Sequence, residues 1–302
     1  MNKTVKIVIL SVIAAALVAL VIVGVNVRHL AYFSHGRLMF GERQESQGAA
    51  QTQFDADAEG IQNIRLDFIS EQIEVVVTNE NKIRIEETSS SELSKDDMMV
   101  CSVKGNTVVA ESGLKDEWMD FFDFMDYQDI KVTLYLPSAY QNDLTLSTVS
   151  GTINTQDVKA AKLSANTTSG TIDVDGAQSD KLDLDSISGA IMVTGGRFET
   201  VTANTVSGEV RAEAERINDF DADSTSGAVN ISVNEMPARV KINTVSGSAT
   251  VAIPENDGFT LKYDTVSGGV NSDFALAHDM YKDGGSNIDI GTVSGGINLI
   301  KK

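Results

Sequence analysis

A single cysteine, Cys101, leaves this sequence no means of making an internal disulfide, so the fold has no cystine staple. Proline is nearly as scarce, three in 302 residues, while glycine is plentiful at 24 and only 22% of residues are charged, which excludes wholesale disorder. The three histidines, His29, His35 and His278, are too few and too scattered to form a zinc site, and no HExxH occurs; neither metal nor cofactor is expected. Positive charge is in deficit as well: 24 Lys and Arg stand against 43 Asp and Glu, a net charge of −19. Phosphate backbones repel a surface that acidic, so nucleic acid is not an expected partner. The acids are read as solubilising, with weak divalent-cation binding as the sharper alternative.

Long apolar runs are missing with one exception. Residues 7–25, IVILSVIAAALVALVIVGV, carry no charge, and their length is close to the ~20 helical residues that cross a ~30 Å hydrocarbon core. A transmembrane anchor over residues 1–27 is therefore expected. A cleaved signal peptide competes with it, because Lys3 and Lys6 supply a basic start, but the run is longer than a usual signal core and no small-x-small site follows. Basic residues lie on both sides of the run, Lys3 and Lys6 before it and Arg28, Arg37 and Arg43 after it. The commoner orientation places the short N-terminal tail inside and the acidic bulk of the chain outside the cell membrane. Residues 28–60 read as a polar juxtamembrane linker.

What fills the rest of the chain is repetition. One phrase returns eight times, as TVSGTINT, TTSGTIDV, SISGAIMV, TVSGEVRA, STSGAVNI, TVSGSATV, TVSGGVNS and TVSGGINL. Its glycines are Gly151, Gly170, Gly189, Gly208, Gly227, Gly247, Gly268 and Gly295, spaced by 19, 19, 19, 19, 20, 21 and 27. A period of about 20 residues marks a solenoid in which each repeat buries its apolar face only against its neighbours. Seven residues before each glycine stand Leu144, Leu163, Leu182, Val201, Phe220, Val240, Leu261 and Ile288; five before stand Leu146, Ala165, Leu184, Ala203, Ala222, Ile242, Tyr263 and Ile290. Two after stand Ile153, Ile172, Ile191, Val210, Val229, Ala249, Val270 and Ile297. Spacing by two predicts strands. The expected fold is thus all-β, a β-helix or β-roll of two-strand rungs bent at Ser-Gly, with ~10 rungs at ~4.8 Å giving ~45–50 Å. The turn glycines are expected to serve a positive-φ corner that a Cβ would penalise. An Asn/Asp column running from Ser147 through Asp185 and Asn204 to Gly291 reads as a solvated outer face. A Ser/Thr column from Thr148 to Thr292 reads as hydroxyls bonding along the ladder or to turn amides.

Within the solenoid domain, residues 61–302, the regular repeats occupy 144–302, while 61–143 read as irregular rungs and a cap. IRLDFISEQIEV, residues 64–75, looks like a degenerate rung with Ile69-Ser70-Glu71 in place of Val-Ser-Gly, and NKIRIEE, MVCSVKGNTVVAES and IKVTLYLP add further strands. Two insertions break the rhythm. In DEWMDFFDFMDYQD, residues 116–129, Trp118, Phe121, Phe122 and Met125 fall at helical spacing and form a candidate cap or partner surface. SDFALAHDMYKDGGS, residues 272–286, fills the 27-residue gap and is expected to cap an open end, unless that end is left free for a partner, a second copy included.

Catalytic constellations are not found. The repeated Ser-Gly lacks the Gly-x-Ser-x-Gly elbow, TGGRFET lacks the Walker lysine, and Cys101 has no protease signature. One enzymatic class remains as a lesser alternative, a carbohydrate-active β-helix using Asp173, Asp183, Asp185, Arg197 and Arg211 on an outer face, although strict 19-residue rungs leave little loop for a cleft. The TVSGxI/V rungs, the VTLYLP before them and the single N-terminal apolar segment resemble the putative-adhesin β-solenoid family of unknown function, which includes the LiaG-like membrane-anchored envelope proteins of Gram-positive bacteria. The likeness covers roughly residues 61–302. It implies a surface-exposed, non-catalytic binding or scaffold module at the cell envelope, with a protein or cell-wall partner, or else a sensor or regulator of envelope stress. It carries over no catalytic residue.

Overall fold

The computed structural model describes residues 50–90, 93–95, 97–113 and 130–302, and every helix-or-strand element among them is a β-strand. The expected anchor over residues 1–27 and the insertion bearing Trp118, Phe121, Phe122 and Met125 lie outside the described residues. Each repeat contributes one strand before its Ser-Gly corner and one after it, and the two sets of eight run through two sheets, each completed to twelve strands by others at its ends. Alternation decides which side chains go inside. In Gln178–Ser186, Leu182 and Leu184 are buried while Asp183 and Asp185 face out, and in Ile191–Thr194 Ile191 and Val193 are buried between outward neighbours. The rungs pair in parallel with no slip in the inward columns: Leu144, Leu163, Leu182, Val201, Phe220 and Val240 are successive partners. A one-residue slip would turn every one of these side chains outward, so burial fixes the register.

The corners differ from expectation in their cause. None of the eight repeat glycines has a positive φ. Each is instead pressed against the carbonyl oxygen of the corner in the adjacent rung: Gly170 against Gly151, Gly189 against Gly170, Gly208 against Gly189, and so on, such that an added Cβ would sit inside 3.0 Å of that oxygen. The glycines are required for close approach of backbones, not for left-handed geometry. The Ser/Thr column serves the turn amides: the Gly170 N–H donates to Thr167 Oγ1 at 3.0 Å, that of Gly189 to Ser186 Oγ at 2.8 Å and that of Gly208 to Thr205 Oγ1 at 2.9 Å. The Asn/Asp column is more than a solvated face. Asn204 Nδ2 donates to Asp185 Oδ1 at 2.9 Å and Asn243 Nδ2 to Asp223 Oδ1 at 2.8 Å, so amide and carboxylate alternate from rung to rung and no two carboxylates are stacked directly. Burial raises the pKa of Asp185 and Asp223, and the asparagine bonds oppose the rise.

At the N-terminal end, Asn63–Asp67 and Gln72–Thr78 form the degenerate rung, in parallel register with the Gly151 rung. One more rung, Thr107–Glu111 with Ile130–Pro137, lies beyond it. Antiparallel strands then close the stack: Val100–Lys104 borders one sheet, and Lys82–Ser89 followed by Ala50–Asp57 borders the other. Ala50–Asp57 falls within the stretch read as linker, and its pairing with Lys82–Ser89 makes it part of the sheet.

The C-terminal end breaks sequence order. The Gly295 rung, Ser286–Thr292 and Ile297–Lys301, lies between the Gly247 rung and the Gly268 rung. The outermost rung is therefore Gly258–Thr265 with Val270–Ser272, and the last strand of the sequence is interior to its sheet. Tyr263, an inward-column residue, is consequently 42% exposed where its counterparts in the stack are buried. The connector after Ser272 does act as a cap in part: Phe274 packs edge-on against Phe259 and Tyr281, with ring centroids 5.2 and 5.0 Å apart, and Met280–Lys282 pairs antiparallel with the start of Gly258–Thr265.

Candidate functional site

The corner that differs most from the repeats is at the N-terminal end. In the degenerate rung, Phe68 replaces the corner hydroxyl and Glu71 the corner glycine. Glu71 keeps a Cβ there, but its carboxylate folds back on the turn, accepting from the Ile69 and Ser70 N–H groups at 2.8 and 2.7 Å and from Ser112 Oγ at 2.6 Å. The carboxylate thus accepts from amides whose counterparts in the repeats, such as Val149 and Ser150, donate to a carbonyl of the adjacent rung, and Glu71 is 1% exposed.

A second acid lies nearby. In Lys82–Ser89 the inward face reads Ile83, Ile85, Glu87, Ser89, so Glu87 occupies a position that alternation assigns to the core, and it is fully buried. The Met99 N–H donates to both of its oxygens, at 3.1 and 3.0 Å. Burial pushes the Glu87 pKa up to about 7; the Met99 bond opposes the rise and the charge of Glu71 adds to it. Burial, with the charge of Glu87, pushes the Cys101 thiol to about 12, so this cysteine is unreactive as a thiolate. The sequence signal for Glu87 was present in KIRIEETS, where the glutamate shares the face of two isoleucines.

Because the folded state holds the Glu87 proton more tightly than the unfolded chain does, stability falls as pH rises from about 4.5 toward 7. E87Q should match the wild type at pH 4 and exceed it by about 1–3 kcal/mol at pH 8. Urea melts at the two pH values test this. An equal difference at both would mean that Glu87 does not titrate in this range.

Residues 114–129 join the two strands of the rung that stacks on this corner, departing after Gly113 and returning at Ile130, which is paired with Ser89. The chain thus leaves and re-enters the described fold beside the buried acids. The five residues considered for sugar chemistry do not converge. Asp183 and Asp185 face out from one sheet and Asp173 and Arg211 from the other. Asp183 is held by Lys162 and Lys181 at 3.1 and 3.0 Å, Arg211 by Glu213, and Arg197 by Glu235 at 2.7 Å. Among the described residues no group of three or more His, Cys, Asp or Glu is arranged to hold a metal ion.

Residues 61–300 match the profile of a family described as Toastrack DUF4097. No curated protein matches the sequence. Among solved structures the chain is similar to a putative cell adhesion protein from Clostridium sporogenes, at 16% identity and a TM-score of 0.28 over 83% of this chain and 99% of that one. It is similar also to a putative lipid binding protein from Parabacteroides distasonis, at 14% identity and a TM-score of 0.49 over 82% and 96%. A putative adhesin from Bacteroides fragilis aligns at 14% identity and a TM-score of 0.41 over the same shares of the two chains.

Proposed function

This chain belongs to the Toastrack DUF4097 family, and on that premise we propose that it is a non-catalytic binding or scaffold module, anchored in the cell membrane by residues 1–27 with its solenoid on the extracytoplasmic side. The observation that carries the reading is the contrast between corners. Eight repeat corners pass directly from strand to strand, while the corner above Glu71 and Glu87 is interrupted by residues 114–129, rich in large apolar side chains. A rigid stack that gathers Trp118, Phe121, Phe122, Phe124 and Tyr127 into one interruption places its specificity there. The partner is a protein or cell-wall component, and Trp118, Phe121 and Phe122 are its anchors. Crosslinking and capture from native membranes with the full chain tests this. The triple variant W118S/F121S/F122S should lose the captured partner at least tenfold while its urea midpoint stays unchanged; undiminished capture, or loss of folding, would reject the binding role of this segment. A sensor of envelope stress is the second reading, favoured by the near-neutral titration of Glu87 at the same corner.

A further inference from the structure

The Gly295 rung fills a slot that the chain could leave empty. Its inward residues Ile288, Ile290, Ile297 and Leu299 are at most 1% exposed, held between the Gly247 rung on one side and the Gly268 rung on the other. The rungs on either side carry matching columns, Val240 and Ile242 below, Leu261 and Tyr263 above, with a glycine at each corner. With the slot vacated, the two can stack directly in the same register, so withdrawal of the Gly295 rung leaves a closed stack one rung shorter instead of an open core. Any copy of this rung, from the same chain or another, makes the same contacts in the slot.

The connector supplies a reason for exchange. It runs from Ser272 to Ser286 and must step back across a rung. Of the four non-glycine residues with positive φ among the described residues, three lie in it, His278 at 51°, Asp279 at 62° and Lys282 at 50°, followed by Gly284 at 77° and Gly285 at 127°. L-residues in that region are strained. A strained hinge joined to an element that fits equally well in a second copy is an arrangement that favours swapping, because the exchanged form keeps every rung contact and releases the hinge. The connector is tied to the last strand by the Asp273 N–H on the Leu299 carbonyl and the Lys301 N–H on Asp273 Oδ2, and, through Glu255, by the exposed ion pairs of Lys282 and Lys301.

We propose that the slot between the Gly247 and Gly268 rungs accepts the Gly295 rung of a second copy of this chain, joining two copies by reciprocal exchange of residues 286–302. Thr250 and Asn298 are register partners on adjacent strands and both face outward, so cysteines at these positions fall within reach of a disulfide. Two full chains carrying C101S, one with T250C and one tag, the other with N298C and a second tag, are co-expressed and oxidised. The expected result is a disulfide-linked species with both tags, at a tenth or more of the yield of the intramolecular bond in T250C/N298C. D279G with K282G, which relieves the hinge, should lower that share severalfold. Absence of the mixed species while T250C/N298C closes, or an equal yield from R211C with N298C, positions rungs apart, would overturn the proposal.

Discussion

Gly189→Ala is expected to cost about 3–5 kcal/mol, out of proportion to the single methyl it adds. The added carbon would overlap the Gly170 carbonyl oxygen and crowd Ser186 Oγ, and backbone on that side has no rotamer with which to yield. Relief requires the two rungs to part at the corner, beyond the ~4.8 Å at which parallel strands bond. That movement stretches the Ser188 N–H bond to the Thr168 carbonyl, which joins the two rungs at this turn. Gly269→Ala is the matched control, since nothing lies within 4 Å of a Cβ at that position and its φ is not positive. It should change stability by less than about 0.5 kcal/mol. Urea unfolding of the two variants, followed by circular dichroism, distinguishes them. Comparable midpoints would show that the close approach of corners is not what the glycine column serves.

Phe220→Ala should cost about 3–5 kcal/mol by a different route, the loss of transfer free energy together with a cavity. Phe220 is fully buried and pairs with Val201 below and Val240 above. Two residues on, its own rung and the rung below place Ala222 and Ala203 in the adjacent column. The phenyl ring therefore supplies the bulk that two alanines omit, and once it is removed no larger neighbour can lean in. A solenoid is held together by nearest-neighbour interfaces, so weakening both faces of one central rung should also uncouple its two halves. The expected thermal melt is lowered and split into two transitions. A single transition at the wild-type temperature would mean that the core collapses around the missing ring.

The rungs are legible in the sequence because a period-two pattern inside a period near 20 calls for stacked strands. Leu182 and Leu184 can be buried together only in a strand, and their counterparts 19 residues away can be covered only by stacking. Family membership followed from the same residues. The degenerate rung at Ile64 was legible for the same reason, even with Glu71 at its corner. Glu87 could have been found from KIRIEETS but was missed, because a glutamate beside isoleucines is ordinarily the outward residue of a strand whose alternation has lapsed.

The sequence by itself determined which side chains line the interior and in what register, since burial of apolar columns leaves no alternative. Tertiary structure alone decided the role of the glycines, because both positive φ and close approach select glycine, and only the distance to the next carbonyl tells them apart. It decided too the order of the last rungs. Rungs with interchangeable inward columns do not encode which neighbour they take, and the 27-residue spacing shows a longer connection without its direction. In the folded chain the connector between Ser272 and Ser286 runs back one rung, and only the packed stack shows it.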